Sequence, residues 1–100
     1  MSDSLRELTA AMHAFVSSKG WYDAQSPRPQ TLKNLAISLV LEASEVLEHF
    51  QWGEEAETEE LAAELADVML YLLQIASISG VDLGAAVEAK LAQNQRRTWD

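Results

Sequence analysis

Two pairs of carboxylates stand inside the most apolar part of this chain, Glu42-x-x-Glu45 and Glu64-x-x-Asp67, and an apolar run follows each pair. A three-residue step places both members of a pair on one face of a helix. The surrounding pattern predicts a core, where a carboxylate is costly unless it is paired or bound to a metal. Any fold open to this chain must account for these four acids, so the stretch from Leu41 to Met69 organises the rest.

The helical period continues on both sides of that stretch. Leu5, Leu8, Met12, Phe15 and Val16 recur at three- and four-residue steps and predict a first helix from Ser2 to about Ser18. Ser2 or Ser4 is the expected cap, with Glu7 three residues after Ser4, and Gly20 is the expected stop. Residues 20–31 hold two prolines and read as a loop. Within it Trp21 and Tyr22 serve either as an aromatic plug or as a stacking surface for a flat ligand.

Thr31 caps a second helix reaching Gln51, whose apolar residues cover more than one side. Glu42 and Glu45 lie near its middle, and Glu48 continues their face. After an acidic turn at residues 53–58, Glu57 or Thr58 caps a third helix that Gly80 ends. Asp82 caps a fourth, from Leu83 to about Arg97, with Leu83, Val87 and Leu91 expected to face the core. No alternation of the strand type occurs. The expected class is all-α, a four-helix arrangement in one domain spanning residues 1–100.

A chain that is 48% hydrophobic and 23% charged is too apolar to be disordered. Its net charge of −9 argues against a nucleic-acid partner and suits a protein that concentrates divalent cations. Without cysteines there are no disulfides, thiolate zinc sites or cysteine nucleophiles. The acidic, amphipathic start does not resemble a signal peptide. Residues 68–81, broken by Gln74, two serines and Gly80, fall short of the ~18 continuous apolar residues of a membrane span. A cytoplasmic protein without a membrane partner is expected. A bundle of this size commonly completes its core by oligomerising, so a homodimer or homotetramer is expected.

If the turn at 53–58 makes the second and third helices antiparallel, Glu45 lies eight residues before it and Glu64 six after. At a rise of ~1.5 Å per residue, the two pairs then meet within a few ångströms of the same height. Four converging carboxylates would repel and take up protons unless cations neutralised them. All-oxygen ligation suits Mg²⁺ or Mn²⁺. The competing reading is a solvated face paired with Lys or Arg. A di-iron carboxylate site is excluded, because it needs Glu-x-x-His and neither His13 nor His49 follows a Glu by three residues.

The order Glu-x-x-Glu, an 18-residue spacer, then Glu-x-x-Asp resembles the signature of the MazG-like all-α nucleoside triphosphate pyrophosphohydrolases. LEASEVLEHFQW and ELADVMLYLL are similar to two blocks of its single-domain members, including the dCTP pyrophosphatase branch. KNLAISLVLEA and the tail carrying Lys90, Asn94, Arg96 and Arg97 extend the likeness, which spans about Trp21 to Trp99.

The resemblance implies a MazG-type fold completed by oligomerisation, with sites between subunits. It implies Mg²⁺-dependent hydrolysis of a nucleoside triphosphate to monophosphate and pyrophosphate, a house-cleaning role. Glu42, Glu45, Glu64 and Asp67 would be metal ligands. One of them, or Glu48 beside them, would orient or deprotonate the attacking water, with Glu42, Glu45 and Glu48 as the catalytic candidates. Trp21 and Trp52 would sandwich the base, while Tyr71, Lys90, Asn94 and Arg97 would contact phosphate or sugar. Bland alternatives are Trp52 as core, Tyr71 as bundle packing and Lys90 as a surface charge. The chain departs from that branch in a longer loop between Trp21 and Asn34, in lacking the His after the tryptophan, and in Met12 where the branch carries His. Those positions shape a base pocket. The alternative function is a non-catalytic helical module that binds a nucleotide, a metal or a partner.

Overall fold

Each boundary is set by a local device that the sequence spells out. The computed structural model describes residues 3–98, leaving the Ser2 cap outside the described residues, and contains four helices. The first, α1 (Asp3–Ser18), already includes Ser4, which is therefore a helical residue and not the cap. It closes at Gly20, whose φ of 73° lies in the left-handed region that glycine adopts without penalty. Trp21 N–H then bonds back to the Val16 carbonyl at 3.3 Å.

Helix α2 (Leu32–Glu48) starts where the Thr31 hydroxyl accepts from Asn34 N–H at 3.1 Å. It stops three residues short of the expected Gln51. Phe50, Gln51 and Gly53 N–H each bond to a carbonyl three residues back, so the chain tightens into turns before Gly53.

Helix α3 (Thr58–Ser79) is capped by the Glu57 carboxylate, which accepts from Glu60 N–H at 2.8 Å. It ends at Gly80, φ 75°, with Val81 N–H bonded to the Ala76 carbonyl at 2.8 Å. Asp82 caps α4 (Leu83–Arg96) by accepting from Ala85 N–H at 3.0 Å.

Helix α3 is the centre of the molecule, packing against α2 along one side and α1 along another. Met12 and Val16 of α1 bury against Leu73 of α3, with Leu5, Trp21, Met69 and Leu83 closing around them. Its 22-residue length and apolar composition would also suit a membrane span, which the broken apolar run at 68–81 had not suggested. In this fold the apolarity serves two helix contacts and leaves an outer face bare.

The expected core face of α4 is a correction. Leu83 reaches the core, but Val87 and Leu91 are 48% and 56% exposed because the helix leaves the body beyond its first turn. The α2 residues Ile37, Val40, Leu41 and Leu47 are exposed as well. The radius of gyration is 15.9 Å, against ~13 Å for a compact domain of 100 residues. Among the described residues the exposed apolar side chains include Val40, Leu41 and Leu47 of α2 and Val87 and Leu91 of α4.

Candidate active site

The acids meet in the seam between α2 and α3. One carboxylate oxygen each from Glu42, Glu64 and Asp67 lies within 4.8 Å of the other two. Glu45, the fourth expected member, is not one of the three whose oxygens converge, but it lies near enough to raise the pKa of both Glu42 and Glu64. The antiparallel register anticipated from the turn length is what brings the two pairs level.

This concentration of like charge shifts protonation. Burial, then the hydrogen bond and charge of Glu45, then Asp67 and Glu64, push the Glu42 carboxyl up from 4.5 to about 7. Glu64 is also raised, chiefly by its contact with Glu45 and then by burial. The buried Oε2 atoms of Glu42 and Glu64 have no hydrogen-bond partner. The neighbours that shift Glu42 and Glu64 are other carboxylates, not cations. Orphaned, buried, all-oxygen donors fit a hard divalent cation.

Two hollows flank the cluster. Glu42 and Asp67 form part of the wall of a cavity of about 620 Å³ between α1, α2, α3 and the 21–30 loop. Trp21, Tyr71, Phe15 and Gln74 also line it. Tyr71 is thereby placed between the acids and the far wall, while Trp21 stands on the loop side. Trp21 meets Phe15 edge-on at 5.7 Å, and the Arg28 guanidinium sits 4.7 Å from its ring centroid. The plug and stacking roles for this ring coexist, since it closes the core and lines the cavity. On the other side Glu45, Glu48 and Glu64 border an acidic cleft of about 500 Å³ with Glu60 and His49.

The structure does not gather every expected residue. Trp52 is 92% exposed, so it is not core, and it does not line the cavity. Lys90, Asn94 and Arg97, on and just after the outlying α4, do not line it either. Lys90 Nζ instead donates to Gln93 Oε1 at 3.4 Å.

A polar chain that sequence reasoning missed starts at the far wall, where Gln30 and Gln74 line the cavity, and runs on behind it. Gln74, only 3% exposed, donates to Tyr22 Oη at 3.2 Å and to Gln30 Oε1 at 2.8 Å. Tyr22 Oη also meets His13 Nδ1 at 2.5 Å, and His13 Nε2 meets Ser77 Oγ at 2.7 Å. Burial raises the Tyr22 phenol pKa, which keeps it protonated. The available signal was Gln74 itself, a polar residue inside an apolar run, seven positions after Asp67 on the same helix face.

Fold and site together define a class: an all-α protein with a carboxylate cluster at a helix seam, beside an aromatic-lined cavity. A family model described as MazG-like matches residues 37–99, and the chain belongs to that family. It is 37% identical over 97 residues to dCTP pyrophosphatase 1 of Homo sapiens and to that of Rattus norvegicus, covering 86% of this chain and 54% of each relative. The chain therefore spans about half the length of those relatives. A shorter match, 50% over 38 residues, joins it to a dATP/dGTP diphosphohydrolase of Salmonella phage PMBT28, covering 38% of this chain and 13% of that protein. A pyrophosphatase from Archaeoglobus fulgidus DSM 4304 has the same fold, with a TM-score of 0.81 and 30% identity over 96% of this chain and 93% of that one.

Proposed function

We propose that this protein hydrolyses a nucleoside triphosphate to its monophosphate and pyrophosphate, with Mg²⁺ (Mn²⁺ as the alternative) held by Glu42, Glu45, Glu64 and Asp67. One observation carries the reading: Glu42 and Asp67 belong both to the carboxylate cluster and to the wall of the aromatic cavity. Phosphates at the cluster and a base in the cavity then follow from a single pose. The names of the relatives support the reaction class.

When bound, the cation supplies neutralisation of the phosphate oxygens and of the charge that develops on them. The chain's own residues account for the rest. Trp21 and Tyr71 bracket the base side of the cavity and fix the substrate's direction. The cleft lined by Glu45, Glu48 and Glu64 is the route by which water would reach the cluster, away from the base cavity. A carboxylate there takes the water proton as its oxygen bonds to phosphorus and the link between the α- and β-phosphates breaks. Glu45, which lines that cleft and acts electrostatically on Glu42 and Glu64, is the best-placed base, and Glu48 lines the same cleft.

Assembly of two or four copies belongs to the same reading. It would cover the exposed α2 and α4 residues and would bring Trp52, Lys90, Asn94 and Arg97 against a neighbouring site.

The test is pyrophosphate release from a panel of natural and damaged triphosphates, with and without Mg²⁺. Release by the wild type, reduced at least about a hundredfold in Asp67→Ala with the helical signal retained, is the expected result. Undiminished turnover by folded Asp67→Ala would sink the proposal. Stabilisation by nucleotide without any turnover would favour the non-catalytic module instead.

A further inference from the structure

The two glutamines on the far cavity wall, Gln30 and Gln74, can be joined in only one direction. Gln30 Nε2 donates to the Arg28 carbonyl at 2.6 Å, and a carbonyl can only accept. Gln30 must therefore turn its Oε1 toward Gln74, which obliges Gln74 to present its amide nitrogen at 2.8 Å. The second N–H of Gln74 goes to Tyr22 Oη. With both donors committed to the protein, the carbonyl oxygen is what Gln74 can offer a ligand. Rotating the amide to present N–H instead would set its oxygen against Gln30 Oε1, acceptor to acceptor, and break that bond.

Position completes the argument. Asp67, Tyr71 and Gln74 share one face of α3 and all line the cavity. Gln74 lies two turns beyond Asp67, ~10 Å along the axis. With phosphates at the acids, the group reaching Gln74 is the part of the base farthest from the sugar. In a pyrimidine that is the substituent at position 4, opposite the glycosidic bond; in a purine it is the one at position 6. Cytosine and adenine carry an amino donor there, whereas uracil, thymine and guanine carry a keto acceptor.

Resting on the proposed reading of the cavity, we infer that Gln74 is a specificity-determining residue, its anchored side-chain carbonyl accepting from the exocyclic amino group of the base and discriminating against keto bases. A keto oxygen would face the carbonyl with no donor between them, or force the amide to turn and leave Gln30 Oε1 without its donor. Either loss is worth about tenfold to a hundredfold in discrimination.

The experiment compares kcat/KM for dCTP against dUTP in the wild type, Gln74→Leu and Gln30→Ala. Calorimetric binding of dCMP and dUMP accompanies it as a readout that needs no turnover. The wild type should prefer the cytosine member of each pair at least about tenfold, and both variants should bring the ratio close to one. Gln30→Ala, at a half-buried loop position, removes the anchor while leaving the Gln74 side chain in place, and it decides the matter if Gln74→Leu does not fold.

Equal use of dCTP and dUTP by the wild type would overturn this inference while leaving the hydrolase reading intact. So would a preference that survives in Gln30→Ala. Preferential binding of dCMP with no pyrophosphate released from any triphosphate would uphold the inference and remove the hydrolase reading. Neither binding nor release would remove both.

Discussion

Replacing Glu42 by Gln should make the metal-free protein more stable at pH 8 while crippling its metal site. Glu42 is raised from 4.5 to about 7, first by burial and then by Glu45, Asp67 and Glu64. A raised carboxyl binds its proton more tightly in the folded state. The folded state is therefore favoured below the unfolded value, and that advantage is lost as pH climbs through the folded one. At pH 8 the wild-type group is ionised among like charges. Each factor of ten in proton affinity is worth about 1.4 kcal/mol, which sets a ceiling of roughly 3.4 kcal/mol on the cost.

Because Glu42 is only half-buried and water reaches the seam, screening reduces this to about 1–2 kcal/mol. Over a domain of this size, that is a rise of about 5–15 °C in Tm. The assay is thermal melting in chelator at pH 5 and pH 8, wild type against Glu42→Gln, repeated with excess Mg²⁺. Glu42→Gln should gain at pH 8 and be near parity at pH 5, and added Mg²⁺ should stabilise the wild type more than the variant. A variant no more stable than wild type at pH 8 in chelator would refute the picture of an electrostatically strained, cation-seeking cluster.

Two further expectations test packing and assembly. Leu73→Ala empties the centre of a core in which only Met12 and Val16 share its cluster, and should cost about 2–5 kcal/mol in urea unfolding; less than about 1 kcal/mol would show that the core lies elsewhere. Val40→Glu alters a side chain that is 66% exposed in one chain, so it should change monomer stability by no more than about 0.5 kcal/mol. By light scattering the same change should shift a dimer or tetramer toward monomer, and an unchanged mass would exclude Val40 from an interface.

The sequence by itself determined the helices and the acid cluster, because both depend on short-range rules. Thr31, Glu57 and Asp82 cap the helices that their side chains begin, and Gly20 and Gly80 adopt the positive φ that ends the helices before them. The three-residue steps, together with a short turn between two helices, were enough to bring Glu42, Glu64 and Asp67 into one group. Periodicity marks which face of a helix is apolar but not what covers it. Val87 and Leu91 therefore looked like core and are exposed, and Trp52 was assigned to a base site that a single chain does not place it beside.

Only the tertiary structure decided the cavity and its polar wall. Gln30, Tyr22 and Gln74 are 44 and 52 residues apart in the pairs that bond, contacts that no local pattern encodes. Their hydrogen-bond direction depends on one backbone carbonyl, that of Arg28, which a folded loop must carry to the right place. Local rules wrote the acids into the chain, whereas the cavity beside them exists only because three helices and a loop close around it.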